Sequence, residues 1–435
     1  MTSLTQMLQQ TPYQGYSYAY PHKTAYRPLS VPKPLHEVWD DESRDSLFLY
    51  LHVPFCEMRC GFCNLFTMAN PQIQIEANYL AALTRQAQAV KAAIYPATFT
   101  RLAIGGGTPT YLSEMELQQL FNVAEQFVDP HTIPVSVETS PLTSETAKLR
   151  LLRQRGVDRI SIGVQSFNEI EVRAVGRSQK TAEVLAALHR IKTADFPTLN
   201  LDLMYGLPGQ SVTSWLQSVQ TALDFAPTEL YLYPLYIRPL TGIGQQRIAE
   251  DIRLQCYQEA RALLLDAGYR QISMRMFQKA VTTATIPAYC CQTNGMIGLG
   301  CGARSYTRAL HYSNEYAVGT SGVRAIIQSY LHKSEADFAS VDYGFRLNDE
   351  EQQRRFVIQS LLQVEGLQRR SYQQLFASEV LADFPALLEL KQHEFIEMSG
   401  EDLRLTPHGL ERSDTIGPWL YSEPVRALMQ TYELQ

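Results

Sequence analysis

Cys56, Cys60 and Cys63 fall within one stretch, CEMRCGFC, shortly after an apolar run. Thiols this close suit metal ligation better than a disulfide framework, and the seven cysteines of the chain are an odd number besides. Three thiolates on one loop have a definite chemical meaning. A [4Fe-4S] cluster accepts four ligands, so a protein that supplies three leaves one iron open to chelate a substrate or cofactor. Zinc is the alternative occupant, but a closed zinc site normally needs a fourth Cys or His close by in sequence.

Such a loop needs a rigid support. Six short apolar runs, LFLYLHV (47 to 53), RLAIG (101 to 105), PVSVE (134 to 138), RISIGVQ (159 to 165), LNLDLMYG (199 to 206) and ELYLYPLY (229 to 236), alternate with amphipathic stretches. Among these, SEMELQQLFNVAEQF opens on a capping box of Ser113 and Glu116, and TAEVLAALHRIKT is a second helical stretch. The alternation is that of βα units around a parallel sheet. Six units are too few for a closed eight-stranded barrel, so the expected fold is α/β: a partial (β/α)6 TIM-like barrel with a mainly helical C-terminal accessory domain. Barrels of this kind carry their chemistry on loops at the carboxyl ends of the strands. The cysteine loop follows the first run, Gly105-Gly106-Gly107-Thr108 ends the second, Glu138 the third and Gln165 the fourth, and Asp202 lies in the fifth. Glycines at a strand end let backbone groups approach a ligand closely. Alternation turns Tyr50 and His52 to the same interior face.

Taken together, YLHVPFCEMRCGFC, IGGGTPTYL, RISIGVQSF and NLDLMYGLPGQ resemble the radical S-adenosylmethionine (SAM) superfamily. More narrowly they are similar to the oxygen-independent coproporphyrinogen III oxidase family, which includes related haem chaperones. The resemblance implies a [4Fe-4S] cluster on Cys56, Cys60 and Cys63, with Phe62 as the aromatic before the third cysteine. It implies SAM on the open iron, with Gly105, Gly106, Gly107 and Thr108 near the methionyl ammonium. Glu138, Gln165 and Asp202 would meet its other polar groups, and Arg177 its carboxylate. Tyr50 is implied as a catalytic neighbour of the cluster and sulfonium. The Gly298–Ala303 stretch resembles a loop over the far side of the site, where oxidases of this type hold a second SAM. The implied chemistry is SAM cleavage to a 5′-deoxyadenosyl radical and hydrogen abstraction from a small-molecule substrate such as a porphyrinogen. A reducing electron donor of the flavodoxin or ferredoxin kind is implied as well.

Some residues stand outside these motifs. Cys290, Cys291 and Cys301 are better read as small buried thiols than as ligands of a second cluster. Arg238, Arg275 and Arg304 are candidate anchors for a substrate carboxylate, which guanidinium binds bidentately. Hydrophobic residues at 45% and charged residues at 19% exclude long disorder. A net charge of −6 leaves no basic footprint for nucleic acid or an anionic membrane surface. With no apolar stretch long enough to span a bilayer and no leader pattern, a cytoplasmic protein is expected. The expected divisions are an irregular N-terminal arm (1–45) and the radical SAM partial barrel (46–240). A flanking segment with the Gly-rich loop (241–340) and a helical, winged-helix-like domain (341–435) follow.

Two departures from the family pattern bear on the reaction. Coproporphyrinogen oxidases commonly carry another Cys two residues after the third, where this chain has Leu65. The haem chaperones tend to carry a His-Asn…Tyr-Trp segment before the Gly-rich loop, where this chain reads CCQTNGMIGLG. The reading is a radical SAM oxidoreductase that decarboxylates a porphyrinogen. The alternatives are a radical SAM methyltransferase or other modifying enzyme on a tetrapyrrole or small metabolite, and a haem chaperone.

Overall fold

The computed structural model describes residues 3–72, 74–243, 251–280 and 291–433. Thirteen strands form its main sheet. They are β1 (Arg27–Pro34), β2 (Leu47–Val53), β3 (Phe99–Gly106), β4 (Val135–Thr139), β5 (Arg159–Gln165), β6 (Thr198–Tyr205) and β7 (Glu229–Pro234), followed by β8 (Tyr269–Gln271), β9 (Met276–Lys279), β10 (Met296–Leu299), β11 (Arg304–Tyr306), β12 (Leu310–Ser313) and β13 (Ser340–Arg346). The six apolar runs are β2 to β7, parallel and neighbouring in chain order. The expected α/β partial barrel is therefore present, and it is larger than six strands. A seventh parallel strand, β10, pairs with β2, and antiparallel strands extend both flanks. The order runs open from β1 at one edge to β8 at the other.

Helices α1 (Ile75–Ile94), α2 (Glu114–Ala124), α3 (Thr146–Gln154), α4 (Thr181–Thr193) and α5 (Val212–Asp224) cover the outer face. Leu49, Leu51 and Val53 of β2 share one core with Leu83, Leu120, Leu152, Leu188 and Trp215 of these helices. Ser113 and Glu116 form the expected capping box of α2. Because side chains alternate along a strand, burying Leu47, Leu49 and Leu51 outward turns Tyr50 and His52 to the inner face. The same alternation puts Glu138, Ser161, Asp202, Tyr231 and Tyr233 on that face.

A second core lies in the C-terminal region, around helix Asp349–Leu361 and the hairpin Ile396–Ser399 with Asp402–Leu405. Leu4, Met7, Tyr20 and Ala25 belong to it, so the N-terminal segment is packed against that region. This segment is also more ordered than its sequence implies, with helices Leu4–Leu8 and Leu35–Trp39 and the strand β1. β1 carries Pro28, Pro32 and Pro34, which are tolerated because it is an edge strand and its register breaks between Pro28 and Lys33. Among the described residues no helix is long and apolar enough to cross a membrane.

Candidate active site

The cysteine loop leaves the carboxyl end of β2 and is fixed by backbone at both ends. Phe55–Cys56 pairs in parallel with Met68–Ala69, returning the loop to its origin. Between these ends, the Gly61 N–H donates to the Val175 carbonyl at 2.8 Å, and the Gly61 carbonyl accepts from Ile243 N–H at 3.0 Å. A Cβ on Gly61 would lie 2.7 Å from the Val175 oxygen, so only glycine fits. Phe62 packs beside Val175, Met204, Leu207, Leu235 and Ile243. The three thiols remain partly accessible. Burial pushes the Cys56 thiol up to about 12, opposed by the Thr108 hydroxyl, which donates to its sulfur at 3.5 Å. Such a thiol becomes a ligand when a metal displaces its proton. Among the described residues no three His, Cys, Asp or Glu side chains are arranged to share one ion. A cubane cluster instead takes each thiolate on a different iron, so this donor set fits it.

Each glycine after β2's neighbour strand is held to its type by a group of the site. A Cβ on Gly105 would lie 2.8 Å from the Glu138 carboxylate, on Gly106 2.6 Å from the His52 ring, and on Gly107 2.9 Å from Cys56 Sγ. The Gly106 N–H donates to Glu138 Oε2 at 3.0 Å. Glu138 lies deep on the inner face, yet its side chain is accessible to water. Both are true of a group that lines an internal space. Burial, opposed by the Gly106 N–H and reinforced by Asp202, holds its carboxyl at about 7. Asp202 is held at about 6 by burial, against hydrogen bonds from Asn200 Nδ2 at 2.8 Å and Ser161 Oγ at 3.5 Å. Carboxyls raised this far lose their protons to a bound cation.

His52 Nε2 lies 3.1 Å from the Phe66 carbonyl, an acceptor only, so Nε2 carries the proton. Burial lowers the ring to about 4, which keeps it neutral. Its bare Nδ1, 3.2 Å away, therefore accepts the Tyr50 hydroxyl proton. The Tyr50 oxygen keeps its lone pairs for the inner space.

Gln165 ends β5 with φ +67, where the register with β6 shifts. A non-glycine residue in that region stores strain, and such strain concentrates at functional positions. Arg177 spans from this bulge to the cysteine loop. Its Nη2 donates to the Gly163 carbonyl at 2.7 Å, its Nε to Gln179 Oε1 at 2.7 Å and its Nη1 to Cys60 Sγ at 3.3 Å.

Residues 50–222, which carry this whole arrangement except its flanking loops, match the Radical SAM superfamily. The chain is 29% identical over 266 residues to the haem chaperone HemW of Buchnera aphidicola, covering 59% of this chain and 69% of that one. It is 28% identical over 355 residues to the oxygen-independent coproporphyrinogen III oxidase of Pseudomonas aeruginosa, covering 75% and 74%. The solved structure of the coproporphyrinogen III oxidase HemN from Escherichia coli shares the fold, with a TM-score of 0.77 at 23% identity over 96% of this chain and 98% of that one. The matched domain and these relatives support a place for this chain in the radical SAM HemN/HemW-like family. Radical SAM proteins use a [4Fe-4S] cluster and SAM, and the matched domain points to both as cofactors here.

In the matched domain Cys56, Cys60 and Cys63 can hold a cluster. Gly105 to Thr108, Glu138, Gln165, Arg177 and Asp202 surround the inner space beside them, with Tyr50 next to His52. One expected anchor is not free. Arg275 Nη2 is paired with Asp414 at 2.7 and 2.6 Å, and the two side chains are 3% and 1% exposed. Cys301 sits in the main core as a small apolar group, and Cys290 lies outside the described residues. Sequence reasoning missed several groups on the inner face. Tyr231 and Tyr233 stack at 5.9 Å, and the alternation within ELYLYPLY could have found them. Tyr16 meets Tyr233 at 6.4 Å, and nothing in the sequence of the arm says which face it crosses.

Proposed function

We propose that this protein is a radical SAM oxidoreductase that decarboxylates the propionates of a porphyrinogen, with coproporphyrinogen III as substrate. The observation that carries the reading is the inner face itself. Tyr16, Tyr50, Tyr231 and Tyr233 line it around two carboxyls of raised pKa, directly beside the cysteine loop. A broad face of this kind suits a large ring. The likeness to the Pseudomonas oxidase over three quarters of both chains supports the same reading.

When bound, the cluster and SAM supply a 5′-deoxyadenosyl radical that accepts a hydrogen atom. In the proposed reaction a –CH2–CH2–COO⁻ side chain loses that atom, CO2 and one electron, and becomes a vinyl group. The electron passes to a one-electron acceptor. The chain's own residues position and protect. Glu138 and Asp202 offer carboxylates to cationic and hydroxyl groups of the cofactor, and Arg177 offers a guanidinium beside Cys60. Tyr50 is fixed by His52 with its oxygen toward the reacting region. We propose residues 46–240 as the unit that does the chemistry and 241–340 as its flank. The arm 1–45 and the unit 341–435 would close it, in a reducing cytoplasm with a flavodoxin or ferredoxin as electron source.

A second reading, a haem chaperone, is favoured by the likeness to HemW. Against it, the stretch before the Gly-rich loop lacks the family's histidine. Its Gln292 is instead buried and accepts the Tyr20 N–H at 3.0 Å, anchoring the arm. The test is anaerobic turnover with reduced, reconstituted protein, SAM and coproporphyrinogen III. Harderoporphyrinogen or protoporphyrinogen formed in step with 5′-deoxyadenosine supports the oxidase. Tight haem binding with no porphyrinogen consumed supports the chaperone and overturns the oxidase.

A further inference from the structure

Arg275 is paired with Asp414, Arg159 with Glu229 and Arg253 with Asp251. Three other cations are not paired in this way. Among the described residues Lys23, Arg238 and Arg304 form no ion pair, and each stands over a tyrosine ring. Lys23 Nζ stands 3.5 Å over the Tyr316 ring, the Arg238 guanidinium 4.9 Å over Tyr236, and the Arg304 guanidinium 5.0 Å over Tyr18, whose hydroxyl accepts from Nη1 at 3.2 Å. Ring faces attract cations, but they do not neutralise them.

The three belong to one neighbourhood. Tyr18, in contact with Arg304, packs edge-on against His22 at 6.2 Å, and Lys23 is the next residue. Burial first, and then the charges of Lys23, Arg304 and Arg238, hold the His22 imidazole neutral. Its Nδ1 accepts the Thr24 N–H, which leaves the proton on Nε2. Burial first, and then Arg304, pull the Lys23 ammonium well below the ordinary lysine range, opposed by Cys63. The charges of Glu138 and Arg304 both reach Tyr50 and act on its hydroxyl in opposite senses. Charges of both signs therefore act near Tyr50, carboxyls on β4 and β6 and a cation on β11.

We propose that Lys23, Arg238 and Arg304, with the His22 Nε2–H, form a carboxylate-binding site for a substrate bearing several carboxylates, so that the N-terminal arm is part of the substrate site. The inference rests on the reading of the inner face as the substrate space, and it adds the residues that select the substrate. A polyanion seated there turns its uncharged body toward Tyr50 and the cysteine loop. Half-buried cations without a carboxylate partner are costly to keep, and an anionic ligand supplies what the fold withholds.

The test uses the full-length, reconstituted protein under anaerobic conditions. Coproporphyrin III, its tetramethyl ester and mellitate, a benzene polycarboxylate, are titrated by porphyrin absorbance or by calorimetry. The free acid is expected to bind far better than the ester. K23Q and R304Q should each weaken the acid on the order of tenfold or more and leave the ester unchanged, while K23R and R304K retain the affinity. The lysine and arginine exchanges guard against loss through misfolding, and cluster absorbance checks that each variant is loaded. If coproporphyrin III fails to bind but mellitate binds and is lost in K23Q and R304Q, the site stands and the porphyrinogen reading falls. If neither polycarboxylate binding responds to K23Q or R304Q, the inference is overturned, even where porphyrinogen turnover is observed.

Discussion

In the proposed site Glu138 would couple its proton to the cofactor. Burial holds its carboxyl at about 7, and a bound ammonium or sulfonium favours the ionised form. SAM affinity of the reconstituted protein should therefore rise between pH 6 and pH 8, by up to about tenfold per pH unit below the pKa. Glu138→Gln should give weaker binding with a flat pH profile, and calorimetry at three pH values reads both. The cofactor-free protein behaves in the opposite sense. Because the folded pKa lies above the ordinary value of 4.5, the stabilising contribution of the protonated carboxyl is complete below 4.5 and is lost as pH rises through 7. Unfolding midpoints should fall over that window in the wild type and change less in Glu138→Gln. Arg177 is a different case, since its value lies in shape. Its three contacts to Gly163, Gln179 and Cys60 use the planar fork that lysine lacks. Arg177→Lys should keep iron content and reduce 5′-deoxyadenosine formation by roughly 10–100-fold, as outer-shell changes at metal sites do.

Among the elements, the end of β3 is the most constrained. Gly106 has φ +115, and a methyl group there would meet the His52 ring at 2.6 Å. Gly106→Ala should cost about 1–3 kcal/mol, read by urea unfolding, and should disturb His52 and with it Tyr50. The parallel strands were legible because each is a run of apolar residues buried outward against a helix. The site on them was legible for the same reason, since strand ends fix where Cys56, Gly105, Glu138 and Gln165 must meet. β10 escaped notice because MIGL is four residues long and opens a glycine-rich turn, so no period develops. β1 escaped because its prolines argue against a strand unless it lies at an edge, and edge position is a property of the assembled sheet. Arg275 looked like a ligand anchor because nothing local reveals Asp414, which lies 139 residues away.

At the scale of the whole molecule, the Arg275–Asp414 pair joins the base of β9 to the C-terminal core, and Tyr236 and Tyr16 complete the contact. Asp414→Ala leaves a buried, uncompensated guanidinium and should destabilise the protein by about 3–5 kcal/mol, whereas the paired change Arg275→Met with Asp414→Leu should recover most of it. Denaturant unfolding of the three proteins separates these outcomes. The arm, the sheet and the C-terminal unit thus depend on one another, and they enclose a face whose purpose rests on the cysteine loop. The most direct test of that purpose is iron and sulfide analysis with electron paramagnetic resonance of the reduced, reconstituted protein, before and after SAM is added. Three protein thiolates and one open iron predict about four iron and four sulfide per chain and a spectrum that changes on adding SAM, with the signal lost in Cys60→Ala. A bound zinc ion, or a cluster whose spectrum ignores SAM, would contradict the account.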